Sequence, residues 1–239
     1  MKTSPDLIAL GVDGRGRERF TSRDMLATEQ RLERAAGDMA ERKAHGVSPP
    51  ALKDALATGQ RRGMTLSQGQ GEALAHVAEA GDLKLVVGYA GSGKSAMLGV
   101  AREAWEASGY QVRGAALSGI AAESLEGGSG ISSRTLASLE HGWAQGRDEL
   151  TPRDVLVIDE AGMIGSRQME RVLSAAQMAG AKVVLVGDPE QLQAIEAGAA
   201  FRALNTTWKW AKSTWPCSPG AVSKRTSNRG SAGGLTSRR

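Results

Sequence analysis

Residues 88–95 read Gly-Tyr-Ala-Gly-Ser-Gly-Lys-Ser and follow the apolar run Leu83-Lys84-Leu85-Val86-Val87 without a break. A buried strand entering a glycine-rich turn of this spacing constrains the fold more than any other stretch, because the turn must offer backbone amides to an anion and start a helix. Gly88, Gly91 and Gly93 let the backbone turn and approach that anion where a side chain would obstruct it. The amides from Tyr89 and Ala90 through Ser92 to Ser95 are expected to enclose a triphosphate. Lys94 brings a positive charge to the β- and γ-phosphates, and the Ser95 hydroxyl suits a magnesium ion. A helix over about 94–108 then aims its positive N-terminal end at the same phosphates. The competing account is an accidental match in a chain with 31 glycines. It has to explain both the strand before the turn and the helix after it.

Nearly continuous apolar runs at 83–87, 111–116, 155–159 and 183–187 alternate with helical patterns at 94–108, 118–126, 134–143 and 166–179. Strands apolar on both faces belong in a parallel sheet covered by helices on each side, so an α/β doubly wound domain is expected. Gly127-Gly128-Ser129-Gly130 marks a loop. Ahead of this core, residues 23–43 place Met25, Leu26, Leu32, Ala35, Ala36 and Met39 on roughly one helical face, with Ser22 as the cap. Ser48-Pro49-Pro50 breaks that pattern, a short helix is expected over 51–57, and Thr65-Leu66-Ser67 opens another through Ala80. The expected organisation is an N-terminal helical segment (1–63), a nucleotide-binding domain (64–204) and a basic tail (205–239).

Cys217 is the only cysteine, so no disulfide framework is available, and His45, His76 and His141 lack metal-ligand spacing. No apolar run approaches the roughly 18 residues of a membrane span, and the first twenty residues lack the apolar core of a signal peptide. A cytoplasmic protein with no membrane partner is the expectation. The net charge of +4 is unevenly spread: after Leu204 come seven Lys and Arg residues and no acidic one, leaving 23 basic against 26 acidic residues in the body. Two accounts of that tail stay open. Trp208, Trp210 and Trp215 among lysines would stack on bases, or the segment is a disordered end produced by a shifted reading frame.

Two further strand ends carry polar groups. The run Val155-Leu156-Val157-Ile158 ends in Asp159 and Glu160, and the carboxyl ends of strands border the ligand crevice of an open α/β sheet. Asp159 suits the magnesium held by Ser95, and Glu160 suits a general base for an attacking water. The alternative is a solvated acidic strand end. At Gly187-Asp188-Pro189-Glu190-Gln191, the Gln191 amide is placed to sense a γ-phosphate, against the alternative of an ordinary turn. Leu66-Ser67-Gln68-Gly69-Gln70 looks like the signature of transporter ATPases, but it precedes the phosphate loop instead of following it. Gln70 is instead a candidate for an adenine edge, or else a solvated helix residue.

Taken in order, LSQGQGEAL, VVGYAGSGKSAML, GAALSGIAAESL, SSRTLAS, DVLVIDEAGM and VVLVGDPEQLQAIEAGAAFRA resemble the first motor domain of RecD-like superfamily 1 helicases. The likeness runs from about Arg17 to Leu204 and is strongest to the helicase portion of TraA-type conjugative relaxases. It implies a RecA-like P-loop fold that binds ATP with Mg²⁺ and moves along single-stranded DNA, with other conjugation proteins as candidate partners. By motif, Gln70 would meet adenine, Gly88 to Ser95 the phosphates, Asp159 and Glu160 the metal and water, and Gln191 the γ-phosphate. Ser118 and Thr135 fall in segments that touch the DNA backbone in such motors, with plain helix capping as the alternative.

Three departures temper the resemblance. Ile120 stands where similar proteins commonly carry lysine, which removes one phosphate contact. Only 35 residues follow Leu204, too few for the second motor domain whose arginines complete the site, so slow hydrolysis and no unwinding are expected. DNA nicking is not expected either: Tyr89 and Tyr110 are the only tyrosines, and both lie in the ATPase core. A weak ATPase motor is the first reading, a non-catalytic nucleotide- or nucleic-acid-binding remnant the second, and a P-loop kinase the third. The acidic pair and the GDPEQL turn fit hydrolysis better than they fit a kinase.

Overall fold

The computed structural model describes residues 6–12, 14–88, 92–188 and 200–207. It opens with an antiparallel hairpin of β1 (Leu7–Val12) and β2 (Glu18–Ser22). Helices α1 (Arg23–Glu41), α2 (Pro49–Arg61) and α3 (Gln68–Ala78) follow. The strand β3 (Leu83–Val87) leads to α4 (Lys94–Ala107), β4 (Gln111–Ala116), α5 (Gly119–Ser129), β5 (Ser133–Thr135) and α6 (Leu136–Ala144). Then come β6 (Asp154–Ile158), a one-turn 3-10 helix (Ala161–Met163), α7 (Ser166–Ala179), β7 (Lys182–Gly187) and α8 (Ala200–Thr207).

β3 to β7 form one five-stranded, all-parallel sheet in the order β3-β7-β6-β4-β5. Successive side chains of a strand point to opposite faces, and the two faces build two cores. Leu83, Leu85, Leu156, Ile158, Val183 and Leu185 pack with Leu32 and Met39 of α1, Leu136 of α6, Leu173 of α7 and Phe201 of α8. Val86, Val155, Val157, Val184 and Val186 pack on the other side with Leu74 of α3, Met97, Leu98 and Trp105 of α4, and Leu125 of α5. Burying an aliphatic side chain of this kind contributes about 1.5–3 kcal/mol, which is why strands that look uniformly apolar stay in the middle of the molecule. The α/β class with helices on both faces is therefore as the sequence implied.

The chain ahead of α3 is joined to the amino ends of the strands by buried polar groups. His45 Nδ1 lies 2.7 Å from Asp82 Oδ1, and its Nε2 lies 2.8 Å from the Pro152 carbonyl. This holds His45 at a left-handed φ of 55° that a non-glycine residue seldom adopts. Lys182 is completely buried and donates to the carbonyls of Glu79 (2.9 Å) and His45 (3.2 Å), with its Nζ 5.9 Å from the Trp105 ring centre. Burial, reinforced by Lys84, pushes its amine down to about 7.

Three local expectations change. The N-terminal segment is not purely helical, since β1 and β2 precede α1. The short helix expected over 51–57 extends from Pro49 to Arg61, capped by Ser48. The glycine run expected as a loop is the last turn of α5, which ends only at Gly130 with φ 71°. Glycine's low helix propensity is overridden there by packing: a Cβ on Gly128 would lie 2.7 Å from Ser95 Cβ, so only glycine lets α5 approach α4 this closely.

Candidate nucleotide site

Because β3, β6 and β7 are parallel, their carboxyl ends emerge on one edge of the sheet. Val87 pairs with Gly187 and Ile158 with Leu185, so the turn after β3, the Asp159-Glu160 pair and Asp188 leave from that common edge. Gly88 N donates to Gly187 O at 3.1 Å and Asp159 N to Ala115 O at 3.0 Å, carrying the ladder one residue past each strand. Asp159 and Lys94 therefore share an edge, the arrangement the phosphate-and-metal reading requires.

On the phosphate side, Gly93 is the N-cap of α4 at φ 75°, a left-handed conformation that glycine adopts without strain. Ser22, Ser48, Ser67, Ser118 and Thr135 cap α1, α2, α3, α5 and α6 through their side-chain oxygens, whereas α4 and α7 start at Gly93 and Gly165 with no side-chain cap. The first-turn amides of a helix lack intrahelical acceptors, and such a helix start suits an anion. Lys94 Nζ donates to Gly88 O at 2.9 Å, which lays the ammonium across the loop. Tyr89, Ala90 and Gly91 lie outside the described residues, as do Gln191 and the tail from 208 onward.

Gln70 reaches this loop from α3. Its Oε1 accepts from Ser67 N (2.8 Å) while Ser67 Oγ accepts from Gln70 N (3.3 Å), a reciprocal capping box. Its Nε2 donates to Ser92 O at 2.9 Å and to Gly93 O at 3.4 Å. The sequence singled out Gln70 for a base; the structure sets its amide against the loop backbone.

On the carboxylate side, Asp159 Oδ1 accepts from Glu160 N at 2.9 Å, and Glu160 adopts a left-handed φ of 54°. That conformation turns the chain sharply into the 3-10 helix, with Met163 N donating to Glu160 O at 2.9 Å. Both carboxylates are half-buried. Ser95 supplies a hydroxyl and Asp159 a carboxylate, the oxygen donors that Mg²⁺ prefers. Among the described residues no group of three or more His, Cys, Asp or Glu could hold a metal. Sequence reasoning missed Gly162 and Gly128, whose close contacts are tertiary and leave no periodic signal.

Ser118 and Thr135 cap α5 and α6, accepting from Ala121 N (3.1 Å) and Ser138 N (3.2 Å). β4 pairs with β5 at Ala116 and Thr135, so the two helix starts lie side by side on the carboxyl edge. Ile120, in the first turn of α5, is 82% exposed.

A glycine-rich phosphate loop and a paired-carboxylate strand end, one strand apart in a parallel sheet, define a P-loop domain of the RecA-like kind. The chain belongs to the AAA domain family, whose model matches residues 65–212. It is 50% identical over 186 residues to the conjugal transfer protein TraA of Rhizobium radiobacter, covering 78% of this chain and 16% of that protein. It is 46% identical over 204 residues to the probable conjugal transfer protein TraA of Sinorhizobium fredii, covering 85% and 18%. The ATP-dependent RecD2 DNA helicase of Deinococcus radiodurans is 33% identical over 126 residues, 51% of this chain and 18% of the helicase. The chain spans less than a fifth of the length of each of these relatives. Among the described residues no helix is long and apolar enough to cross a membrane.

Proposed function

We propose that this chain is the ATP-binding motor module of a DNA helicase of the conjugative-transfer type. The observation that carries the reading is the shared carboxyl edge, along which Lys94 and the first turn of α4 lie on the same side of the sheet's strand ends as the Asp159-Glu160 turn. The TraA and RecD2 likenesses add the direction toward conjugation and DNA.

In this reading the amides of 88–95 and Lys94 bind the triphosphate, and Ser95 and Asp159 hold Mg²⁺, which neutralises charge on the phosphate oxygens when bound. Glu160 accepts a proton from the attacking water, and Gln191 reports on the γ-phosphate. Ser118 and Thr135, at the adjoining helix starts, contact a single-stranded DNA backbone. Other conjugation proteins are the proposed assembly partners, and the cytoplasm the proposed compartment.

The test is Mg²⁺-dependent ATP binding by the full chain, followed by steady-state hydrolysis with and without single-stranded DNA. Lys94→Ala should abolish binding. Glu160→Gln should keep binding and lose at least 100-fold in turnover. Binding with no turnover in either condition selects the reading of a non-catalytic nucleotide-binding remnant. Absence of ATP binding in the unaltered chain sinks both.

A further inference from the structure

The last turn of α5 lies along one stripe of α4. Ser95, Gly99 and Arg102 are spaced four and then three residues apart, so they share a face of that helix. Each meets a different part of the turn. A Cβ on Gly128 would lie 2.7 Å from Ser95 Cβ and 3.0 Å from Ser95 Oγ. A Cβ on Gly99 would lie 3.3 Å from the Ser129 carbonyl oxygen, and Arg102 Nε donates to that same oxygen at 3.2 Å. The buried Ser129 hydroxyl donates to Leu125 O at 2.6 Å and accepts from Ile131 N at 3.2 Å, which fastens the turn internally. The turn is thus held at the Arg102 end and bears on Ser95 at the other, main chain against side chain.

From this geometry we infer that Gly128 is a positioning residue for the Ser95 hydroxyl: the last turn of α5 is the seat that fixes where Ser95 Oγ stands, and a group added at residue 128 weakens the hold on Mg²⁺ without itself touching ion or nucleotide. The inference rests on the reading of Ser95 as a magnesium ligand. A glycine needed only for packing would behave differently when replaced. It would lower the unfolding midpoint and weaken ATP equally with and without Mg²⁺. A seat for the hydroxyl matters only when the ion is present, because the first-turn amides of α4 and Lys94 attract phosphates in either case.

Gly127 provides an internal control. Nothing lies within 4 Å of where its Cβ would stand, so the same substitution one residue earlier on the same helix adds no contact. Arg102 provides a second handle. Arg102→Met releases the Ser129 carbonyl and loosens the far end of the turn without adding an atom beside Ser95.

The experiment titrates Mg²⁺ against ATP binding to the full chain and its variants, with a parallel binding curve in EDTA and thermal unfolding of each. Gly128→Val is expected to raise the Mg²⁺ concentration for half-maximal binding by about tenfold, the lower end of what loss of a metal ligand's support costs, and Gly128→Ala by about threefold. Affinity in EDTA and the Mg²⁺ requirement of Gly127→Ala should match those of the unaltered chain. In a Ser95→Ala background Gly128→Val should raise the requirement no further, because the hydroxyl it displaces is gone. An unchanged Mg²⁺ requirement in both Gly128 variants overturns the inference, and so does equal weakening with and without Mg²⁺. If neither Gly128 variant folds, Arg102→Met decides: a raised requirement supports the seat, and an unchanged one overturns it. If the unaltered chain binds no ATP in either condition, the nucleotide reading fails and takes this inference with it. If it binds ATP with a clear Mg²⁺ requirement, the variants judge the seat alone, and if it binds ATP without one, the magnesium role of Ser95 falls and the seat with it.

Discussion

Gly162, in the turn after β6, and Gly187, at the end of β7, meet backbone to backbone: a Cβ on Gly187 would lie 2.8 Å from the Gly162 amide nitrogen. In the other direction, a Cβ on Gly162 would lie 2.6 Å from the Asp188 carbonyl oxygen. The turn carrying Asp159 and Glu160 is thereby pressed against the end of β7 and Asp188. Movement of either displaces main chain in the other, because no flexible side chain intervenes to absorb it.

Gly162→Ala is expected to lower stability by about 1–3 kcal/mol, the usual cost of forcing an added carbon into a packed position. It should also slow ATP turnover more than it weakens ATP binding, because the displaced groups lie on the carboxylate side of the site. Thermal unfolding together with single-turnover hydrolysis checks both. An unchanged unfolding midpoint would show that the turns are less tightly apposed than described.

Ile120→Lys should tighten single-stranded DNA binding and steepen its salt dependence by roughly one counterion, about 0.7 in the logarithmic slope. The site is 82% exposed beside the N-caps Ser118 and Thr135, so an added ammonium has room to reach a phosphate. A salt titration of binding reads the slope directly. An unaltered slope would place the DNA path elsewhere.

His76 should make the fold sensitive to acid. Its ring is buried, and burial, with Lys84 nearby, pushes its pKa from 6.5 down to about 4 against an opposing pull from Glu79. The unfolded chain then binds a proton more readily than the folded one between these values. Stability present above pH 6.5 is lost as the pH falls toward 4. His76→Leu should flatten that part of the profile by at most about 3 kcal/mol. Denaturant unfolding at pH 7 and pH 4.5 measures it, and an identical slope in both proteins would contradict the assignment.

The parts of this architecture that show in the amino-acid order are those governed by burial and local geometry. β3 and β4 match their apolar runs residue for residue, and α7 has the bounds that its 3.6-residue period predicts. β1 and β2 escape notice because Leu10, Val12 and Phe20 are exposed, so the hairpin has no alternation of buried and solvated positions to betray it. β5 is three polar residues that become a strand by pairing with Gly114–Ala116 of β4. In the site, the phosphate-loop residues and the acidic pair are legible as motifs. The hold of Gln70 on Ser92 and the apposition of Gly162 with Asp188 join segments more than twenty residues apart, and only the folded sheet brings them together.

The family match begins at residue 65, yet Leu32, Ala36 and Met39 share a core with Leu156 and Leu185, and His45 is clamped between Asp82 and Pro152. A polypeptide beginning at residue 65 should therefore lose cooperative unfolding or aggregate, whereas one beginning at residue 23 should melt much like the full chain. Calorimetry of the two distinguishes them. The left-hand border of the family model thus falls inside the stretch expected to melt as one, and a gene fusion cut at that border would hand its recipient a sheet stripped of α1 on one face.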